Sequence, residues 1–203
     1  MAGDRGNTGS IAGSIPGPIP ERVARARALA GSLGFGQASE DDVGRLLRTL
    51  AAAVPRGGRV LEIGTGTGVG TAWIVDGLEP RSDVEVVSVE VETSRAERAR
   101  SIAWPGWVTI VVGDVLEELA RLGTFDLVFA DAQAGKWTGL DRTVAAVKPG
   151  GLLVVDDMLV GPTASPDLAQ RQAGVRTALF AMAELVPVEL AWSSGVIVAA
   201  RRR

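Results

Sequence analysis

Beyond residue 58 the chain alternates between short, continuous apolar runs and longer segments of helical composition. The apolar runs are Arg59–Ile63, Val84–Val89, Val108–Val112, Phe125–Ala130 and Leu152–Val155. Between them lie Val69–Leu78, Thr93–Ile102, Leu116–Leu122 and Leu140–Val147. The runs are rich in β-branched residues and do not alternate with polar ones, so they predict strands covered on both faces, as in a parallel sheet. Regular strand–helix alternation predicts an α/β fold with a doubly wound, mostly parallel sheet. A long helix over Pro166–Leu185 breaks the pattern, and Val188–Trp192 and Val196–Ala200 then flank Ser193-Ser194-Gly195. That arrangement predicts a closing antiparallel hairpin, which brings the sheet to seven strands.

Upstream, Glu21–Leu33 is rich in Ala, Arg and Leu and predicts a helix. Ser39 before Glu40-Asp41-Asp42 fits an N-cap with an acidic first turn, and Val43, Leu46, Leu47 and Leu50 form the apolar face of a helix reaching about Val54. Residues 1–20 are broken by Gly, Ser and Pro and predict a flexible arm before a single domain over 21–203. The 203-residue length agrees with one domain.

Composition narrows the chemistry. Against 24 Asp+Glu stand 21 Lys+Arg, a net charge of −3, so the basic footprint of a nucleic-acid binder is missing. No apolar run reaches the ~18 residues of a membrane span, and no hydrophobic signal core opens the chain, which points to the cytoplasm. The chain has no Cys, no His and no Tyr. Thiolate nucleophiles, imidazole bases and zinc sites built on His or Cys are excluded. Acid–base or metal chemistry must use carboxylates, lysines, hydroxyls or water.

The strongest local signal is Glu62-Ile63-Gly64-Thr65-Gly66-Thr67-Gly68-Val69-Gly70, between the first strand and its helix. Open α/β sheets bind nucleotide-like ligands at that position, where glycines let the backbone turn sharply and approach the ligand. A dinucleotide fingerprint fits poorly, because Val69 and Thr71 stand where its third glycine is needed, and a P-loop lacks its lysine. Glu90, at the end of the second strand and 26 residues after Gly64, can accept hydrogen bonds from ribose hydroxyls. Asp114, in Gly113-Asp114-Val115 after the third strand, can edge an adenine pocket. Singly these features also fit a tight turn and solvated strand ends; at the ends of three successive strands they point to one ligand site.

A second group is carboxylate-rich. Asp131 ends the fourth strand, and Asp156-Asp157 ends the fifth. Ligands bind outside the carboxyl ends of such strands, so the three acids should converge beside the glycine loop. Clustered carboxylates repel unless a cation or proton intervenes, and an oxygen-only set suits Mg²⁺ or Ca²⁺. A polarising or helix-capping role without an ion is the alternative.

These motifs resemble the Rossmann-like S-adenosylmethionine-dependent methyltransferases. Val60–Trp73, Phe125–Asp131 and Gly150–Gly161 are similar to the catechol and caffeoyl-CoA O-methyltransferase group and to small bacterial O-methyltransferase-like proteins. The resemblance implies that Glu62 and the loop residues Gly64, Thr65, Gly66, Gly68 and Gly70 hold the methionine part of the cofactor. It implies Glu90 for the ribose, Asp114 and Val115 for the adenine, and Asp131, Asp156 and Asp157 for a divalent ion such as Mg²⁺. Asp131 belongs to both the cofactor and the catalytic set, with Lys136 as a candidate base or cation. The acceptor would be a small hydroxylated molecule, and the resemblance also implies a homodimer.

Two positions depart from the pattern. The group places a Lys three residues after the first metal Asp, where this chain has Ala134; Lys136 and Trp137 follow five and six residues after Asp131. Asp157 stands where Asn is usual. Lys136 reaches the site if the longer loop folds inward, and is otherwise a solvated loop lysine. A non-catalytic S-adenosylmethionine-binding or structural subunit, and an NAD-dependent oxidoreductase, are the competing readings.

Overall fold

A computed structural model of the chain describes residues 17–161 and 164–203. The expected arm falls, up to residue 16, outside the described residues.

Five strands, β1 (Arg59–Ile63), β2 (Glu85–Glu90), β3 (Val108–Val112), β4 (Phe125–Ala130) and β5 (Val147–Val155), run parallel. The antiparallel strands β6 (Leu185–Leu190) and β7 (Val196–Arg201) close the sheet, giving the order β3-β2-β1-β4-β5-β7-β6. β1 therefore lies between β2 and β4, and the loop after it opens at the point where the winding reverses.

Successive strand residues face opposite sides, so the continuous apolar runs feed two cores. On one side Val60, Val86, Leu127, Phe129 and Val154 pack with α2 (Asp41–Ala52) and α3 (Val69–Leu78). On the other, Leu61, Ile63, Val128 and Leu153 pack with α5 (Val115–Leu122), α6 (Leu140–Ala145) and α7 (Pro166–Ala181). Each fully buried side chain of this size stabilises by roughly 1.5–3 kcal/mol before the entropy of ordering is subtracted. α2 and α3 approach closely because Gly44 leaves room for the Trp73 ring. α1 (Glu21–Ser32) and α4 (Thr93–Arg100) complete the layers.

Four local expectations are corrected. Ser39 does not cap α2: Glu40 holds the N-cap position, without a side-chain bond to the helix, and the Ser39 hydroxyl turns towards Asp131. α7 ends at Ala181, because Met182 takes an extended conformation, ψ 113°, from which the chain enters β6. β6 starts at Leu185, ahead of the expected Val188, and ends at Leu190, so residues 191–195 make the link to β7. β5 begins at Val147 and runs through Pro149-Gly150-Gly151, with a register shift against β4 between Phe125 and Leu127.

Candidate functional site

The glycine loop is shaped by its backbone. Gly64 has φ 100°, and a Cβ there would stand 2.9 Å from the Asp131 carbonyl oxygen, so a side chain is excluded on both counts. The N–H groups of Gly64 and Thr65 donate to the Val89 carbonyl at 2.9 and 3.2 Å, tying the loop to the end of β2. Gly68, left-handed at φ 87°, starts α3. The loop forms one wall of a cavity of about 780 Å³ that also takes in Glu90, Asp114, Val115, Asp131, Lys136 and Asp157.

Glu90 is buried, and both its oxygens are engaged. Oε2 accepts from the Gly66 N–H at 2.8 Å, and Oε1 accepts from the Glu92 N–H and from Arg95 Nη1, each at 3.0 Å. The Arg95 guanidinium lies 4.9 Å from the centre of the Phe35 ring, which packs against Gly66. Asp114 lines the cavity and also caps α5, its Oδ1 accepting from the Leu116 N–H at 2.8 Å. This exposed strand-end carboxylate therefore both caps a helix and borders the cavity.

Glu62 lies beneath the loop instead of lining the cavity. Its place in β1 directs it to the α3 side, where Oε2 accepts from the Ser88 hydroxyl at 2.6 Å and from Thr71. Gly70 carries no side chain because Glu62 Oε1 occupies that space. Burial pushes the Glu62 carboxyl up to about 7, opposed by the Ser88 and Thr71 hydrogen bonds.

The second group converges as the strand ends require. One carboxylate oxygen each from Asp131, Asp156 and Asp157 lies within 4.8 Å of the others. Asp131 Oδ2 accepts from the Ser39 hydroxyl at 3.2 Å. Asp156 is buried, its Oδ1 accepting from the Asp157 N–H at 2.7 Å and from the Ser194 hydroxyl. Asp157 adopts φ 59°, unusual for a residue with a side chain. From α7, Gln172 Nε2 donates to the Asp157 and Leu159 carbonyls at 2.6 and 3.3 Å, and Arg176 Nη2 donates to Met158 at 3.0 Å.

The loop after β4 does fold inward. The Trp137 N–H donates to the Gln133 carbonyl at 2.8 Å, Gly135 (φ 86°) to Thr138 at 2.7 Å, and the Thr143 hydroxyl to Gly135 at 2.9 Å. Lys136, only 3% exposed, is thereby turned into the cluster. Its Nζ lies 3.0 Å from Asp157 Oδ2, 3.2 Å from the Asp156 carbonyl and 4.0 Å from Asp131 Oδ1. The solvated-lysine alternative is overturned. Burial, reinforced by Asp156, holds the Asp131 carboxyl well above the usual carboxylate range, with Lys136 pulling the other way. Burial likewise raises Asp156 to about 6 against the Ser194 hydrogen bond, with Asp157 adding to the rise.

Ser39, Ser194, Gln172, Phe35 and Arg95 were not legible as site residues. Nothing in their local sequence separates them from surface polar or helix-terminal residues; only the fold brings them here.

A family model described as a methyltransferase domain matches residues 61–158, the span from β1 to the aspartate pair. A Mycolicibacterium vanbaalenii protein named "Putative O-methyltransferase" is 36% identical over 191 residues, covering 88% of this chain and 83% of its own. The chain belongs to the S-adenosylmethionine-dependent O-methyltransferases. The catechol O-methyltransferase of Mycobacterium tuberculosis is 34% identical over 148 residues, 66% of each chain. The O-methyltransferase TomG from Streptomyces achromogenes, solved in complex with S-adenosylmethionine, superposes with a TM-score of 0.75 at 25% identity over 92% of both chains.

This chain's residues fit the family's cofactor. The loop leaves no room for side chains at Gly64, and the buried Thr67 Oγ1, which lines the cavity, and Glu62 Oε1 beneath it have no hydrogen-bond partner among the described residues. The aspartates offer the all-oxygen donor set that a hard divalent cation takes. Lys136 Nζ lies among the same oxygens. No helix among the described residues is long and apolar enough to cross a membrane.

Proposed function

We propose that the protein methylates a hydroxyl of a small molecule carrying two adjacent oxygens, working in the cytoplasm without a nucleic-acid or membrane partner. One observation carries this reading: a single cavity has the glycine loop and Glu90 on one wall and Asp131, Lys136 and Asp157 on another. S-adenosylmethionine supplies a methyl group on a positively charged sulfur, which becomes a neutral thioether when the acceptor oxygen takes that methyl. Gly64, Thr65, Gly66, Gly68 and Gly70, with Glu62 beneath, hold its methionine part. Glu90 receives the ribose hydroxyls, and Asp114 and Val115 flank the adenine.

At the acceptor end, Asp131 takes the hydroxyl proton, for which its raised affinity suits it. Lys136 Nζ steadies the resulting oxyanion. Mg²⁺ held by Asp131, Asp156 and Asp157 would instead lower the hydroxyl's own pKa, the proton then leaving to solvent because Asp131 would be engaged by the ion. The walls then hold the oxyanion in line with the methyl group, and that alignment supplies much of the rate. Trp137, half-buried in the same wall, suits an aromatic acceptor.

The test is transfer of radiolabelled methyl from S-adenosylmethionine to a panel of catechols, phenols and carboxylates. Turnover on catechols is expected, falling by roughly 10²–10⁴-fold in Asp131→Ala. Chelation by EDTA should abolish it, Mg²⁺ restore it, and Asp156→Ala imitate EDTA. Cofactor binding with no product from any acceptor would instead favour a non-catalytic binder. EDTA-resistant turnover would remove the metal and leave the cofactor site standing.

A further inference from the structure

The aspartate cluster already contains a cation. Lys136 Nζ stands 3.0 Å from Asp157 Oδ2, 3.2 Å from the Asp156 carbonyl and 4.0 Å from Asp131 Oδ1, and the side chain is only 3% exposed. Its placement is built, since the Gly135 turn, the Thr143 hydroxyl on the Gly135 carbonyl and the Trp137 ring 4.7 Å from Nζ all hold it there. Asp157 is built towards it in turn: the left-handed backbone at φ 59° is clamped by Gln172, so the carboxylate that departs from the family's Asn faces the lysine that departs from the family's position.

Two of the three carboxylates a metal would use, those of Asp131 and Asp157, face Nζ. A divalent ion of Mg²⁺ size binds its oxygens at roughly 2.0–2.1 Å, closer than an ammonium does, and dehydrates reluctantly. An ion that close to Asp157 Oδ2 would meet the ammonium across one shared oxygen, and two cations so near each other repel, the buried Lys136 more than the exposed Asp157 being shielded from water. Movement of Nζ away from Asp157 relieves that repulsion, and Lys136 borders the cavity into which it would move.

We propose that Lys136 is the resident cation of the aspartate cluster and that a divalent ion enters only by displacing its ammonium from Asp157. The two departures from the family pattern are then one device, a lysine–aspartate pair that sets how strongly the cluster takes a metal. This rests on the metal-holding role proposed above, and the test separates the two.

The chain's own lysines supply the first readout, because Lys136 and Lys148 are the only two. Lys148 pairs with Asp126 near the start of β5, away from the cluster, and serves as an internal reference. The full chain, loaded with S-adenosylhomocysteine, is titrated with Mn²⁺ while free ion is counted by electron paramagnetic resonance. Acetylation of Lys136 relative to Lys148, read by mass spectrometry, should rise severalfold on saturation. Bound Mn²⁺ with Lys136 still protected would overturn the displacement.

The second readout is affinity. Lys136→Met should bind Mn²⁺ at least roughly tenfold more tightly than the unaltered chain, while Lys136→Arg, which keeps the charge, should not. Equal affinities in all three would overturn the proposal. Absence of Mn²⁺ binding in every variant would instead remove the metal-holding role itself, and the inference with it. Should Lys136→Met not fold, the labelling of the unaltered chain decides alone.

Discussion

Glu62 shows how a single residue links the fold to pH. It is fully buried between β1 and α3, and its carboxyl is raised from the ordinary 4.5 to about 7, chiefly by burial. The unfolded chain loses this proton near 4.5, whereas the folded chain keeps it until about 7. Between those values the folded state binds more protons, so stability falls as pH rises through that window and levels off above it. The shift corresponds to about 3 kcal/mol at most. Asp131 and Asp156 act in the same direction, so the contribution of Glu62 is the difference between wild type and Glu62→Gln. Urea midpoints at pH 5 and pH 8 should fall less steeply in the variant, and an unchanged slope would show that Glu62 is not the group responsible. At this scale the sequence was legible where chemistry sits at a strand end: Asp131, Asp156, Asp157 and Glu90 all lie where the strand pattern put them. It was illegible where a partner comes from far along the chain. Ser39, 92 residues from Asp131, looked like a helix cap because a Ser before acidic residues carries the same signature in either role.

Elements decide how rigidly those residues are held. The left-handed Asp157 needs support, and α7 provides it through two hydrogen bonds from Gln172 and one from Arg176, itself paired with Glu189 on β6. The β6–β7 link contributes from the other side, with Met158 donating to Gly195 and Leu159 to Ser194, each at 2.9 Å. Gln172→Leu keeps the bulk but leaves the Asp157 and Leu159 carbonyls without that donor, a loss of about 1–3 kcal/mol. Because the hydrogen bonds from Gln172 go to the Asp157 and Leu159 carbonyls beside the aspartates, affinity for S-adenosylhomocysteine should stay within about twofold while kcat falls by tenfold or more. Calorimetry beside methyl-transfer kinetics checks this, and a matching loss of cofactor affinity would refute the separation. The strands and helices flanking the site were legible because buried parallel strands are apolar without interruption. The helix that steadies it was over-extended, since Met182-Ala183-Glu184 has helical composition while Met182 turns extended and the chain pairs into β6 from Leu185.

Across the whole molecule, the cavity joins parts of the chain that lie far apart in sequence. The segment before α2 contributes Phe35 and Ser39, the first half of the sheet contributes the glycine loop and Glu90, and β4 and β5 contribute Asp131 and Asp157. A ligand that bridges these walls binds the folded state only, so its binding energy adds to global stability. S-adenosylhomocysteine at 100 times its Kd should therefore stabilise the protein by about 2.7 kcal/mol. For a domain of this length that is a rise in Tm of roughly 5–10 °C. NAD should give no comparable rise, because the loop lacks the glycine spacing its pyrophosphate requires. Glu90→Ala provides the internal control. Its carboxylate orders the loop through the Gly66 N–H and is the acid proposed for the ribose, so the variant should lose most of the shift at the same ligand concentration. It also leaves Arg95 without its nearest partner, so its Tm without ligand should drop as well, and only the ligand-induced increment is compared. An equal increment in wild type and Glu90→Ala would move the ribose away from β2. An increment with NAD and none with S-adenosylhomocysteine would contradict the cofactor role of the glycine loop.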